Sequence, residues 1–291
     1  EVQVITPTDY PDFLTWMKGN DDVIIYEGGK EKQSEKIVNE ADLIFCLDFS
    51  SLDRINGLGE IVRNAKGKKV LIDHHLNPEK FADFELWSTE AAATAQLVYK
   101  MIEDFNETSL VDKDIAESLY AGIVTDTGSF KHPNTTKDVH LITAKLIDHQ
   151  ADTAKVGQLI YDTNSVDRIK FLGFALSRRL KIMAEFNTAY FFISKKDLRR
   201  FNSKTGDTEG LVNYALSLEN VVFAALIIER PEEVRLSFRS KGNFSVNEFA
   251  SNHFEGGGHK NAAGGRSSEN LDKTIEKFEE LLKKNKKLLK A

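Results

Sequence analysis

Short apolar runs alternate with amphipathic stretches over roughly the first half of the chain. "VQVIT" reads as a strand, and "DYPDFLTWM" as the start of a helix with Asp9 as its cap. "DLIFCLDFSS" is an apolar strand ending in Asp48, followed by a helix over "SLDRINGLGEIVRNA" that Gly67 closes. "KKVLIDHH" is the next strand. "STEAAATAQLVYKMIEDF" predicts a strong helix capped by Ser88, and "DKDIAESLYAGIVTDTGSF" a helix that breaks into a loop at "TDTGS". "TTKDVHLITAKLIDHQAD" predicts another helix. Strand–helix–strand order with unbroken apolar strands predicts a parallel sheet covered on both faces.

From about residue 151 to 185 the pattern is helical, polar on one face and without a strand signal. The texture then changes. "TAYFFIS", "VVFAALIIE" and "EVRLSFRS" are strands, the last two joined by a turn at "RPEE". A segment "SVNEFASNHF", a Gly-rich loop "EGGGHKNAAGG" and a final helix with a solvated, Lys-rich end complete the chain. The expected fold is therefore α/β: an N-terminal parallel-sheet domain over 1–155, a helical linker over 156–185, and a smaller C-terminal α/β domain over 186–291, with the active site in the cleft between the domains.

Composition narrows the class. The chain has 291 residues, 41% of them hydrophobic and 29% charged, enough for a real core in each domain. The single cysteine, Cys46, excludes an internal disulfide framework and fits a reducing compartment. No apolar run approaches the roughly 20 residues of a membrane span, and the opening "EVQVITPTDY" lacks a basic start and an apolar stretch. The expectation is a cytoplasmic protein with no membrane partner. A net charge of −6 argues against broad binding to long duplex DNA, but leaves room for a small anionic substrate.

The candidate chemistry lies at the strand ends, where open parallel sheets bind ligands. Asp48 ends one strand, Asp73, His74 and His75 end the next, and Asp126 sits in the turn "TDTGS". Carboxylates mixed with imidazoles suit Mn²⁺ and similar cations, and two such ions about 3.5–4 Å apart can clamp a phosphoryl oxygen. Taken singly, each residue has a plainer explanation: Asp48 as a helix cap, a histidine as a polar strand end, Asp126 as a turn residue. Two adjacent histidines on an extended strand point to opposite faces, so either the backbone turns there or they do different jobs. In the C-terminal half, Gly256, Gly257 and Gly258 allow close backbone approach to a phosphate with amides pointing inward, and His259 follows them. Arg235 and Arg239 share one face of a strand and could hold a phosphate, although an exposed arginine face would look the same.

"IDHH", with "LDFS" upstream and "GIVTDTGSF" and "GGGHKNAAGG" downstream, resembles the DHH phosphoesterase superfamily with its DHH-associated C-terminal domain. The resemblance runs over essentially the whole chain. "DTEGLVNYAL" and "RLSFRSKG" are most similar to the bacterial oligoribonucleases that also act as 3′-phosphoadenosine-5′-phosphate phosphatases. The family implies an Mn²⁺-dependent hydrolase with two ions. Asp48 would bridge them, His74 and Asp126 would be further metal ligands, Asp73 would support the histidines, and His75 would contact the substrate phosphate. Arg235, Arg239, Gly256, Gly257, Gly258 and His259 would grip the substrate.

One element of the pattern is missing. The family's first motif, an "HxxPDGDAxGS"-like loop after the first strand, has no counterpart here. The expectation is that this segment lies outside the sequence at hand, and that the chain as written binds metal weakly or at one site. The expected activity is hydrolysis of short oligoribonucleotides and of 3′-phosphoadenosine-5′-phosphate. The alternatives are a cyclic-dinucleotide phosphodiesterase, an exopolyphosphatase-like enzyme, and an inactive nucleotide-binding homologue. A homodimer is compatible with the sequence.

Overall fold

A computed structural model describes residues 1–290. The chain divides into two compact units, Glu1–Thr163 and Asn164–Ala291.

The N-terminal unit opens with two short parallel strands, β1 (Ile5–Thr6) and β2 (Ile24–Ile25). Helix α1 (Glu31–Glu40) leads into β3 (Leu43–Leu47), α2 (Gly57–Asn64), β4 (Lys68–Asp73) and β5 (Phe84–Trp87). The three strands form a parallel sheet in the order β3-β4-β5. Four helices follow: α3 (Thr94–Asp104), α4 (Lys113–Asp126), α5 (Lys137–Asp148) and α6 (Thr153–Tyr161).

The sheet is covered unevenly, contrary to the expectation of two covered faces. On one face Cys46 and Leu71 pack against Leu58 and Val62 of α2. On the other, Leu97 and Met101 of α3 meet Val70 and Ile72 of β4 and Leu86 of β5. The same face of edge strand β3 stays open, so Leu43, Phe45 and Leu47 are each about half exposed (47%, 49% and 46%).

Several predicted boundaries move. The "DYPDFLTWM" helix is only a 3-10 turn over Asp12–Leu14, entered from Pro11 without a side-chain cap. The helix predicted from residue 51 onward breaks at Asn56, whose backbone is left-handed (φ 53°). The helix predicted from Ser88 begins at Thr94, because Ala93 is extended (φ −154°, ψ 151°) and the Ala92 N–H bonds to the Gln96 side chain. Strand β5 and helix α1 go beyond the elements that the sequence pattern predicts; "FELW" is largely exposed and gives no apolar run.

The C-terminal unit begins with α7 (Val166–Arg178) and β6 (Leu180–Met183), then β7 (Thr188–Ile193), α8 (Lys195–Arg200), α9 (Leu211–Leu216), β8 (Phe223–Glu229) and β9 (Val234–Ser240). It ends with α10 (Val246–His253), β10 (Gly257–His259), β11 (Ala262–Ser267), α11 (Leu271–Lys284) and α12 (Lys286–Leu289). Six strands pair in the order β10-β11-β9-β8-β7-β6. Alternation along β8 feeds two cores: Phe223, Ala225 and Ile227 pack with Phe249 and Phe278, while Ala224, Leu226 and Ile228 pack with Phe171 and Leu211.

Residues 156–185 are thus not one linker. Helix α6 falls in the N-terminal unit, α7 buries Phe171 and Ala175 in the C-terminal core, and residues 180–183 are a strand antiparallel to β7. The Gly-rich stretch is not a loop either, but a β10–β11 hairpin. Its glycines answer to that pairing: a Cβ on Gly256 would lie 2.0 Å from the Gly264 carbonyl oxygen, and Gly258 sits at φ 152°.

Candidate metal centre

The end of β4 carries the centre. Strand β4 is the middle strand, with Leu71 and Ile72 fully buried, so its C-terminal residues emerge between two neighbours. Asp73 ends the strand and is fully buried; His74 is 5% exposed. The chain leaves the strand there, which lets both adjacent imidazoles serve one locale: their ring centroids are 5.0 Å apart at 73°.

Each ring is oriented by its Nδ1. His74 Nδ1 lies 3.1 Å from the Ala91 carbonyl oxygen; a carbonyl only accepts, so Nδ1 carries the proton there and donates it. That turns Nε2 toward Asp48 Oδ1 and Asp126 Oδ2, each at 3.5 Å. His75 Nδ1 is 2.7 Å from Asp73 Oδ1, and Trp87 Nε1–H donates to the His75 carbonyl at 2.7 Å.

Asp48 follows β3 in the left-handed region (φ 67°), which a short polar side chain tolerates. Its N–H donates to the Ile72 carbonyl, and Thr94, at the start of α3, donates its hydroxyl to Asp48 Oδ1 at 2.7 Å. Asp126 is the last residue of α4 and not a loop residue. That helix is capped by the Asp112 side chain, and a Cβ on Gly122 would lie 2.8 Å from Ala95 Cβ, so the bare glycine lets α4 approach α3 closely.

The electrostatics are one-sided. Burial, and then the Asp48 charge, push the Asp126 carboxyl up to about 6. Burial also works against the charge on Asp48, but the His74 and Thr94 hydrogen bonds and the nearby imidazoles hold its pKa below the usual range. Burial opposes the charge on His74, yet Asp48, Asp126 and the Ala91 carbonyl together raise its pKa.

The donor set fits a divalent cation. Asp48, His74 and Asp126 each offer a ligand atom, and these atoms lie within 4.8 Å of one another; Asp48, Asp73 and His75 form an overlapping group of the same span. Asp73 Oδ2 is buried without a hydrogen-bond partner among the described residues, a costly state for a carboxylate oxygen unless a cation faces it.

The sequence matches the DHH family N-terminal domain over residues 4–123 and the DHHA1 domain over residues 187–290. The chain belongs to the DHH family. It is a phosphoesterase of that family, a hydrolase of phosphate esters. It is 36% identical to an exopolyphosphatase-related protein from Bacteroides fragilis, with a TM-score of 0.91 over 100% of this chain and 85% of the other. It is 28% identical over 250 residues to the bifunctional oligoribonuclease and PAP phosphatase NrnA of Bacillus subtilis, covering 84% of this chain and 77% of that one. A probable enzyme of the same name from Streptococcus mutans is 28% identical over 262 residues, 87% and 76% of the two chains.

The remaining expected residues of this DHH protein lie in the C-terminal unit. Arg235 and Arg239 project from one face of β9, opposite Ile228 and Ala224 of β8. Arg235 is exposed and pairs with Glu233 at 2.8 Å. Arg239 is half-buried; its guanidinium donates to the Phe238 carbonyl, and burial lowers its pKa. Gly257, Gly258 and His259 form β10, with Gly256 just before it. The expected set of inward amides is not met at Gly258, whose N–H donates to Asn247 Oδ1 at 2.8 Å because the hairpin packs on α10. Sequence reasoning missed Thr94, Trp87 and the Ala91 carbonyl. None has a local signal, since "STEAAATAQ" reads as the opening of a helix.

Proposed function

We propose that this DHH protein hydrolyses the phosphate esters of short oligoribonucleotides and of 3′-phosphoadenosine-5′-phosphate, with Mn²⁺ as the working ion. The observation that carries the reading is the convergence of Asp48 and Asp126 on His74 Nε2 at 3.5 Å each, beside a His75 backed by buried Asp73. The names of the B. subtilis and S. mutans relatives supply the substrate class.

Asp48, His74 and Asp126 would hold the cation, and Asp73 would support the set. When bound, the ion polarises a phosphoryl oxygen and supplies a nucleophile at neutral pH. The rest falls to the chain. Asp73 Oδ1 accepts a hydrogen bond from His75 Nδ1–H and so fixes that ring, leaving Nε2 as the nitrogen not engaged by Asp73. Protonated, Nε2 donates to a phosphoryl or leaving oxygen; neutral, it accepts a proton from the incoming group. Trp87 holds the His75 backbone still, and Thr94 fixes one oxygen of Asp48.

Arg239 suits a substrate anion: its guanidinium is recessed, and no carboxylate pairs with it among the described residues. Arg235, neutralised by Glu233, would contribute less. Gly256, Gly257 and His259 would line the same end of the C-terminal sheet.

The deciding experiment incubates the protein and Mn²⁺ with di- to pentaribonucleotides, 3′-phosphoadenosine-5′-phosphate, cyclic di-AMP and polyphosphate. Release of mononucleotides and of phosphate from the first two is the expected outcome. Cleavage of polyphosphate alone, the activity in the name of the B. fragilis relative, overturns it.

A further inference from the structure

The chain leaves Asp126 through an unusual turn. Gly128, Ser129 and Phe130 all lie in the left-handed region, with φ of 55°, 59° and 63°. For a bulky residue such as Phe130 this is a strained conformation, and three in a row persist only where the surroundings over-determine them.

Those surroundings are present. Ser129 N–H donates to the Val124 carbonyl at 2.8 Å, and Phe130 N–H to Thr127 Oγ1 at 3.1 Å. The buried Thr127 offers its carbonyl to the N–H groups of both Lys131 and His132, at 2.9 and 3.0 Å. The Ser129 hydroxyl meets the Tyr161 hydroxyl at 3.0 Å, and the Phe130 ring stacks on His140 with centroids 5.4 Å apart.

The turn brings His132 back over its own beginning. His132 Nδ1 lies 3.1 Å from the carbonyl oxygen of Asp126, and a Cβ on Gly128 would lie 2.5 Å from His132 Nε2. Because Phe130 N–H goes to a side chain, the Asp126 carbonyl lacks its usual helical donor, and the imidazole replaces it. His132 is exposed, so core packing does not demand a histidine there.

We infer that His132 is a positioning residue: by clamping the Asp126 carbonyl and resting on Gly128, it holds the left-handed turn shut and sets where Asp126 presents its carboxylate. The inference rests on the reading of Asp126 as a metal ligand.

Mn²⁺ titrations by calorimetry, with thermal melts alongside, test it on the full chain, four single variants and one double variant. Asp126→Asn should abolish binding. His132→Ala should weaken Mn²⁺ affinity at least about tenfold, the scale seen for residues that orient ligands, with little change in Tm. His132→Asn, whose amide can donate to the same carbonyl, should recover most of that loss. Gly128→Ala should cost less affinity in the His132→Ala background than alone, because the ring it collides with is gone. If His132→Ala binds Mn²⁺ like the unmodified chain while Asp126→Asn does not, the positioning role is wrong and the ligand reading stands. Equal losses in His132→Ala and His132→Asn, tracking a fall in Tm, make the residue merely structural and also overturn the role. If Asp126→Asn binds as tightly as the unmodified chain, the ligand reading itself fails.

Discussion

Two sets of acidic groups show opposite solutions to the same problem. In the C-terminal unit, Asp197 is 4% exposed and fully satisfied. It accepts two parallel bonds from Arg179, both 2.8 Å, and two more from the N–H and hydroxyl of Ser194. Burial opposes its charge, but these donors hold its pKa below the usual range. In the N-terminal unit, Asp48, Asp73 and Asp126 converge with no lysine or arginine paired to them among the described residues. Imidazoles and a hydroxyl face them, one oxygen of Asp73 has no hydrogen-bond partner among the described residues, and Asp126 is pushed up to about 6. The first arrangement is complete within the fold. The second is assembled against its own repulsion, which is what the proposed cation site would need.

The sharpest break of this comparison is kinetic. Asp48→Ala should lower kcat by about a thousandfold, roughly 4 kcal/mol of lost transition-state stabilisation, measured as steady-state turnover of a diribonucleotide. Next in size is Arg179→Met, which leaves the Asp197 charge buried without its partner. It should destabilise the protein by about 3 kcal/mol in urea unfolding, near the low end for a broken buried pair because Arg179 is partly exposed. Arg239→Ala should raise KM about tenfold with kcat little changed; an equal loss of kcat would contradict the separation of metal and substrate functions.

The smallest effect has the most telling sign. Asp126→Asn should raise the Tm of metal-free protein slightly, since it removes a repelled carboxylate, whereas Arg179→Met lowers it. The pH dependences follow the same contrast. The folded pKa of Asp126, about 6, lies above the unfolded value of 3.8, so its destabilising charge is fully present above pH 6 and is relieved as pH falls from 6 toward 4. Asp197 has a depressed folded pKa, so its contribution is present above the unfolded value of 3.8 and is lost as pH falls through the folded one. Metal-free melts of the chain and of Asp126→Asn between pH 7 and pH 4 should separate the two. Protons should also compete with Mn²⁺ at Asp126, so affinity should drop as pH falls through 6.

Much of this was legible from residue order. The apolar run ending in "IDHH" located a central strand and its chemical end, and the strands from "TAYFFIS" to "EVRLSFRS" appear as β7, β8 and β9. What escaped were features whose partners are far away in the chain. Ser88 looked like a helix cap, but the helix begins at Thr94, and the Ala91 carbonyl before it receives His74. "FELW" became a strand because β4 offered it an edge, not because of its own pattern. The Gly-rich segment looked like a phosphate loop, yet its backbone pairs with itself and commits the Gly258 N–H to Asn247.

Local sequence determined which segments extend or coil, because apolar periodicity is a property of neighbours along the chain. It also determined that carboxylates and imidazoles sit at strand and helix ends. Only the tertiary structure decided that Asp48 and His74, just past the ends of β3 and β4, and Asp126, at the end of α4, share a few ångströms, which nitrogen of each imidazole faces them, and that among the described residues no arginine joins them as one joins Asp197. Those outcomes depend on how α3 and α4 pack beside the end of β4, and packing is set by contacts between residues dozens of positions apart.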